Sequence, residues 1–136
     1  MKFENHKIGR LGEDLAIKHL LKSGFTILDR NFSRPWGEID IIAMKRDVIY
    51  FLEVKTVSYE TVSDFHQNLA QGFYLPEQRV SEAKLDRLQK IIETWLQKQD
   101  TSHLCDVDIT ALSVHVILAD KVAIIDSFYS LKAKSR

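Results

Sequence analysis

Cysteine is nearly missing from this chain: Cys105 stands alone among 136 residues. A single thiol excludes an internal disulfide, so the fold must rest on its core, and a reducing, cytoplasmic setting is expected. Cys105 itself opens an apolar stretch and reads as a small buried hydrophobe, not a nucleophile. Long hydrophobic runs are absent too. No stretch nears the ~20 apolar residues that span a bilayer, and the start of the chain, from Met1 to His6, lacks a signal-peptide run. No membrane partner is expected. His6, His19, His66, His103 and His115 never stand three or four residues from one another or from Cys105, which argues against zinc. There is no glycine-rich phosphate loop, which excludes nucleotide hydrolysis of the P-loop kind. Ser33, Ser58 and Ser81 lack the context of a nucleophile elbow or triad. Excess charge is also missing, since 19 Lys and Arg face 19 Asp and Glu. Nucleic-acid binders usually carry a basic excess. Any such role here must rest on local chemistry, with acidic groups masking a basic rim.

What is present is the composition of a soluble domain, 45% hydrophobic and 28% charged. Residues 1–136 fit one domain, which at this length hides about two thirds of its unfolded surface. Residues 7–23 predict a helix, with Ile8, Leu11 and Leu15 on one apolar line and Gly24 as its stop. Strands are predicted over 25–32, 38–44 and 48–56. A second helix is predicted over 80–99, where Leu85, Leu88, Ile92 and Trp95 step at three and four residues. Two closing strands, 105–118 and 122–129, precede a basic tail at 130–136. Residues 57–79 are polar and weakly periodic and read as a long mobile loop. The order is αβββαββ, an α/β fold with a mixed sheet flanked by helices.

The chemistry concentrates in the second and third strands. Alternation puts Ile39, Ile41 and Ala43 on one face of the former, with Glu38, Asp40 and Ile42 on the other. If Arg46-Asp47 forms a two-residue hairpin turn, Asp40 falls opposite Glu53 and Glu38 opposite Lys55. Directly opposed residues share a face with Cβ atoms ~5 Å apart, so two carboxylates and a lysine would converge. A three-residue loop would separate them. Opposed carboxylates on an apolar sheet repel and are costly to desolvate. A divalent cation removes both problems, and Mg2+ takes one or two carboxylates and fills its shell with water and phosphate oxygens. Lys55 would then steady the attacking water and the charge growing on a phosphate. The plain alternative is a solvated face with Asp40 paired to an arginine. Glu13 shares a helix line with Ala16, Ile17 and Leu20. It reads either as an inward acid near the cation or as an exposed one favoured by the helix dipole. Gly9 and Gly12 thin that helix, which implies close backbone approach.

Gly12-Glu13-x-x-Ala16, Gly24-Phe25, Arg30-Asn31, Gly37-Glu38-Ile39-Asp40-Ile41-Ile42-Ala43 and Glu53-Val54-Lys55-Thr56 together resemble the bacterial YraN-type family. That family is similar to archaeal Holliday-junction resolvases within the PD-(D/E)XK nuclease superfamily. The likeness runs from about Gly9 to Thr56 and resumes more weakly from 80 to 96 and at Asp106-Val107. It implies a three-layer, restriction-endonuclease-like core. Asp40, Glu53 and the Val54 backbone carbonyl would hold Mg2+ or Mn2+, Lys55 would be the catalytic lysine, and Glu13 the helix glutamate near the metal. It also implies DNA as the partner, branched or junction DNA in particular, and a homodimer able to make two symmetric cuts.

The resulting expectation is a metal-dependent endodeoxyribonuclease. The alternatives are a nucleic-acid-binding module of nuclease fold with little or no activity, and a partner-binding protein whose carboxylates are surface features. Arg79, Lys84 and Arg87, with Lys90, could line a phosphate backbone, and Glu38 is a further candidate for contact with nucleic acid. Interleaved Glu82, Asp86 and Glu93 fit a salt-bridged surface equally well. Trp36 either stacks on a base or packs on the sheet.

Overall fold

The computed structural model describes residues 5–71, 82–99, 106–126 and 129–130. Helix α1 (Asn5–Lys22) leads into strands β1 (Thr26–Arg34), β2 (Gly37–Lys45) and β3 (Val48–Tyr59). Helices α2 (Val62–Gln71) and α3 (Glu82–Gln97) then lead to β4 (Asp106–Ile117), β5 (Val122–Ile125) and the short β6 (Tyr129–Ser130). The sheet order is β1-β2-β3-β4-β5, with β6 also on β4. Among the described residues only β3 and β4 run parallel, as a helical crossover requires. Among the described residues no helix is long and apolar enough to cross a membrane.

The expected α/β layout is therefore present, in three layers. On one face α1 buries Ala16 and Leu20 against Ile41, Leu52, Leu112 and Val114. On the other, α3 packs Leu88, Ile91 and Trp95 onto Ile42, Phe51 and Ile109. Each such side chain taken fully from water contributes about 1.5–3 kcal/mol. Trp95 also donates its indole N–H to Asp29 of β1 at 3.1 Å, which ties α3 to the sheet's edge. Helix α1 stops where Gly24 takes φ +90°, and the Phe25 N–H reaches back to the Leu20 carbonyl.

The long loop expected over 57–79 is corrected over its described part, 57–71. Strand β3 continues to Tyr59, and α2 follows at once. Thr61 caps α2, its hydroxyl accepting from the Asp64 N–H at 3.2 Å. Phe65 anchors the helix on Tyr59 and Ile117. A buried anchor set among exposed residues from 62 to 67 shows no helical period there, which explains the misreading. Residues 72–81, with Arg79, and the tail at 131–136 lie outside the described residues. The close approach expected at two glycines occurs at one. A Cβ on Gly12 would fall 2.7 Å from the Thr56 Cβ, whereas one on Gly9 would meet nothing within 4 Å.

Candidate active site at the open end of β2 and β3

The site begins with a turn. Arg46 and Asp47 both take left-handed backbone, φ 51° and 63°, the twist of a two-residue type I′ hairpin. That turn pairs Lys45 with Val48 and carries the register to Ile41 opposite Leu52. The expected two-residue connection is thus present, and the next position along is Asp40 with Glu53.

There the regular sheet gives way. Ile39 packs in the α3-side cluster, yet Ile41, two residues on, packs on the α1 side with Ala43. The alternation expected along β2, with Ile39 and Ile41 on one face, is therefore wrong at Asp40. The cause lies in β1, where Asn31 takes left-handed backbone, φ 52°, between the pairs Arg30–Ile41 and Phe32–Ile39. Phe32 accordingly packs toward α3, while Arg30 reaches Asp14 of α1 at 2.9 Å. Both strands change faces at one step, and Asp40 sits on it.

Asp40 consequently serves as part of the ladder. Its Oδ2 accepts from the Val54 N–H at 2.7 Å. An extended residue aims its N–H and C=O at the same neighbouring strand. The Val54 carbonyl thus faces the Asp40 side, beyond the last regular β2–β3 pair. Glu53 stays on the α3 side, ion-paired to Lys84 of that helix. Glu38, Glu53, Lys84 and Arg87 line a cavity of about 100 Å³ whose apolar wall is Leu88 and Ile91. Two of the basic residues expected to face phosphates therefore do gather beside Glu53. Trp36, next to Gly37, is 45% exposed rather than packed on the sheet.

Electrostatically the site is under load. Burial drives the Asp40 carboxyl up to about 7, only partly offset by the Val54 N–H, and Glu13, Glu53 and Glu38 push it further. Glu13 is raised too, by burial first; Arg30 and a hydrogen bond from Asn31 oppose this, while Glu38 and Asp14 add to it. Its Oε1 is buried and meets no donor. Of the two readings open for Glu13, the inward one applies. Gly12 explains how, because its missing side chain lets α1 settle onto Thr56. Lys55 is exposed at the same end of β3 and has no hydrogen-bond or ion-pair partner among the described residues. Its neighbour across the β3–β4 ladder is Ser113, 1% exposed with an unpartnered hydroxyl.

Among the described residues no three His, Cys, Asp or Glu side chains stand close enough to cage a metal. An all-oxygen donor set with an orphaned carboxylate oxygen fits instead a hard cation that takes one or two carboxylates and keeps its waters.

A model of the uncharacterised protein family UPF0102 matches residues 12–117. The chain belongs to that family. Its UPF0102 relatives include one from Dictyoglomus thermophilum, 44% identical over 92 residues, 68% of this chain and 69% of the other. Another, from Campylobacter jejuni, is 38% identical over 109 residues, 80% of this chain and 86% of the other. The YraN-type resemblance is thereby borne out at family level. Among solved structures, SfsA of Pyrococcus furiosus in complex with Ca2+ aligns with 92% of this chain and 64% of its own length. That alignment has 16% identity and a TM-score of 0.35.

One polar group escaped sequence reasoning. Tyr59, His115 and Asp126 form a chain, with Tyr59 Oη 3.0 Å from His115 Nδ1 and His115 Nε2 2.8 Å from Asp126 Oδ2. They come from β3, β4 and the residue just past β5, and carry no spacing signal. Asn31, whose backbone sets the kink, was visible only as part of a motif.

Proposed function

We propose that this UPF0102 protein binds Mg2+ or Mn2+ through Asp40 and Glu53 and hydrolyses phosphodiester bonds in DNA, with branched or junction DNA as the substrate class. One observation carries the reading: the acids at the open end of β2 and β3 are buried beyond what their partners satisfy. Asp40 is pushed to about 7, and Glu13 keeps an oxygen that no donor meets. Folded proteins rarely leave such groups unsatisfied, and perturbed carboxylates that share a site are a mark of chemistry.

When bound, the cation supplies charge neutralisation and Lewis acidity toward a phosphoryl oxygen. Asp40 and Glu53 would hold it, with the Val54 carbonyl on the same side, and Glu13 would offer its unpartnered oxygen to a nearby water. The Lys55 ammonium orients the attacking water and offsets the charge that grows on the phosphate. The water oxygen bonds to phosphorus as it gives up a proton to solvent, the P–O bond to the leaving strand breaks, and the departing oxygen takes a proton from solvent. Exposed Trp36 offers a ring for base stacking beside the cavity.

The test is to incubate labelled branched and linear DNA with wild type and Lys55→Ala, in Mn2+ and in EDTA. Cleavage is expected only with Mn2+, falling by about 100-fold or more in Lys55→Ala. Cleavage that survives EDTA, or that ignores the Lys55 change, contradicts the mechanism. DNA binding without cleavage would favour a binding module.

A further inference from the structure

The cavity beside Glu53 is charge-balanced: Glu38 and Glu53 face Lys84 and Arg87. One of these pairings is a contact, Lys84 Nζ on Glu53 Oε1, with the two side chains 38% and 29% exposed. The same carboxylate is needed by the proposed cation. A divalent ion and an ammonium cannot share that oxygen at close range without strong repulsion. We infer that Lys84 is a latch: it closes on Glu53 when no cation is bound, and a cation arriving there releases it to grip a backbone phosphate of the nucleic acid. This rests on the cation site proposed above.

The consequence is coupling. Without a cation the four charges cancel, and the cavity offers a phosphate no net attraction. With one, two positive charges are added and Lys84 parts from Glu53 beside Arg87. The cavity then becomes an anion site walled by Leu88 and Ile91. Cation and phosphate each strengthen the other's binding, and by linkage the gain is equal in both directions. This explains how a chain with no net charge can hold a polyanion. Its attraction is generated locally and only when the cation is present.

The experiment is a calorimetric titration of Mn2+ into wild type, Lys84→Gln, Lys84→Arg, Arg87→Gln and Asp40→Asn. Anisotropy of a fluorescein-labelled DNA fork is then measured in EDTA and in Ca2+. Mn2+ affinity should rise about three- to fivefold in Lys84→Gln, the worth of a half-exposed ion pair. Lys84→Arg should stay near wild type. Arg87→Gln removes an equal charge without touching Glu53, so it should change Mn2+ affinity less. Adding Ca2+ should tighten fork binding in wild type by about tenfold, and clearly less in Lys84→Gln. Unchanged or weaker Mn2+ binding in Lys84→Gln, or a change matched by Arg87→Gln, overturns the latch. If wild type binds Mn2+ and Asp40→Asn does not, the cation site survives that failure. If wild type and Asp40→Asn both bind none, site and latch fall together.

Discussion

Two groups of ionisable side chains are buried on this sheet, and they differ in how fully they are satisfied. Around His115, which is wholly buried, each ring nitrogen has a partner in Tyr59 or Asp126, and Phe65 packs on both rings. Burial raises Tyr59, as does the Asp126 charge, but its hydroxyl still has His115 to meet. Around Asp40 the arrangement is the reverse. Carboxylates crowd one another, the one donor to Asp40 among the described residues is a backbone N–H, and Glu13 keeps an orphaned oxygen. A closed polar network rigidifies a fold, whereas an open one costs stability unless something from outside completes it. The first is read as structure and the second as the site.

That contrast is open to direct attack. The largest effect belongs to His115→Ala, which opens a cavity and strands the Tyr59 hydroxyl. It should cost about 3–4 kcal/mol in urea unfolding while leaving Mn2+ affinity near wild type. A parallel loss of Mn2+ binding would show that the two groups are not independent.

Next comes pH. Asp40 keeps its proton to about 7 when folded but releases it near 3.8 when unfolded. Between those values the folded state binds more protons. The stability contribution is therefore complete below about pH 4 and is lost as pH rises through 7. In metal-free buffer that loss should be of the order of 2–4 kcal/mol, and Asp40→Asn should flatten it. A smaller cost, about 1–3 kcal/mol, is expected for Gly12→Ala, because the new methyl must push α1 off Thr56. Mn2+ affinity should fall with it as Glu13 is displaced. The smallest is Tyr59→Phe, about 1 kcal/mol in unfolding with no change in Mn2+ binding.

The hairpin register was half legible: a two-residue turn at Arg46-Asp47 admits one pairing, but the sequence left a three-residue loop in competition with it. The inward Glu13 was half legible, since its helix line pointed to the core but did not settle the competition with solvent. The kink at Asp40 was not legible. It depends on one left-handed residue, Asn31, in a neighbouring strand, and on a side chain standing in for a backbone acceptor. Helix α2 was hidden because Phe65 is buried among exposed residues from 62 to 67, and the His115 group because strand pairing, not spacing, assembles it. Gly9 and Gly12 looked alike in the sequence, yet only Gly12 faces another strand.

The most direct measurement is a crystal structure of the chain soaked in Mn2+, read at the manganese absorption edge. An anomalous peak within about 2.3 Å of carboxylate oxygens of both Asp40 and Glu53 is the predicted result, absent in Asp40→Asn crystals. Manganese bound elsewhere, or Asp40 and Glu53 left without a peak at saturating Mn2+, would contradict it.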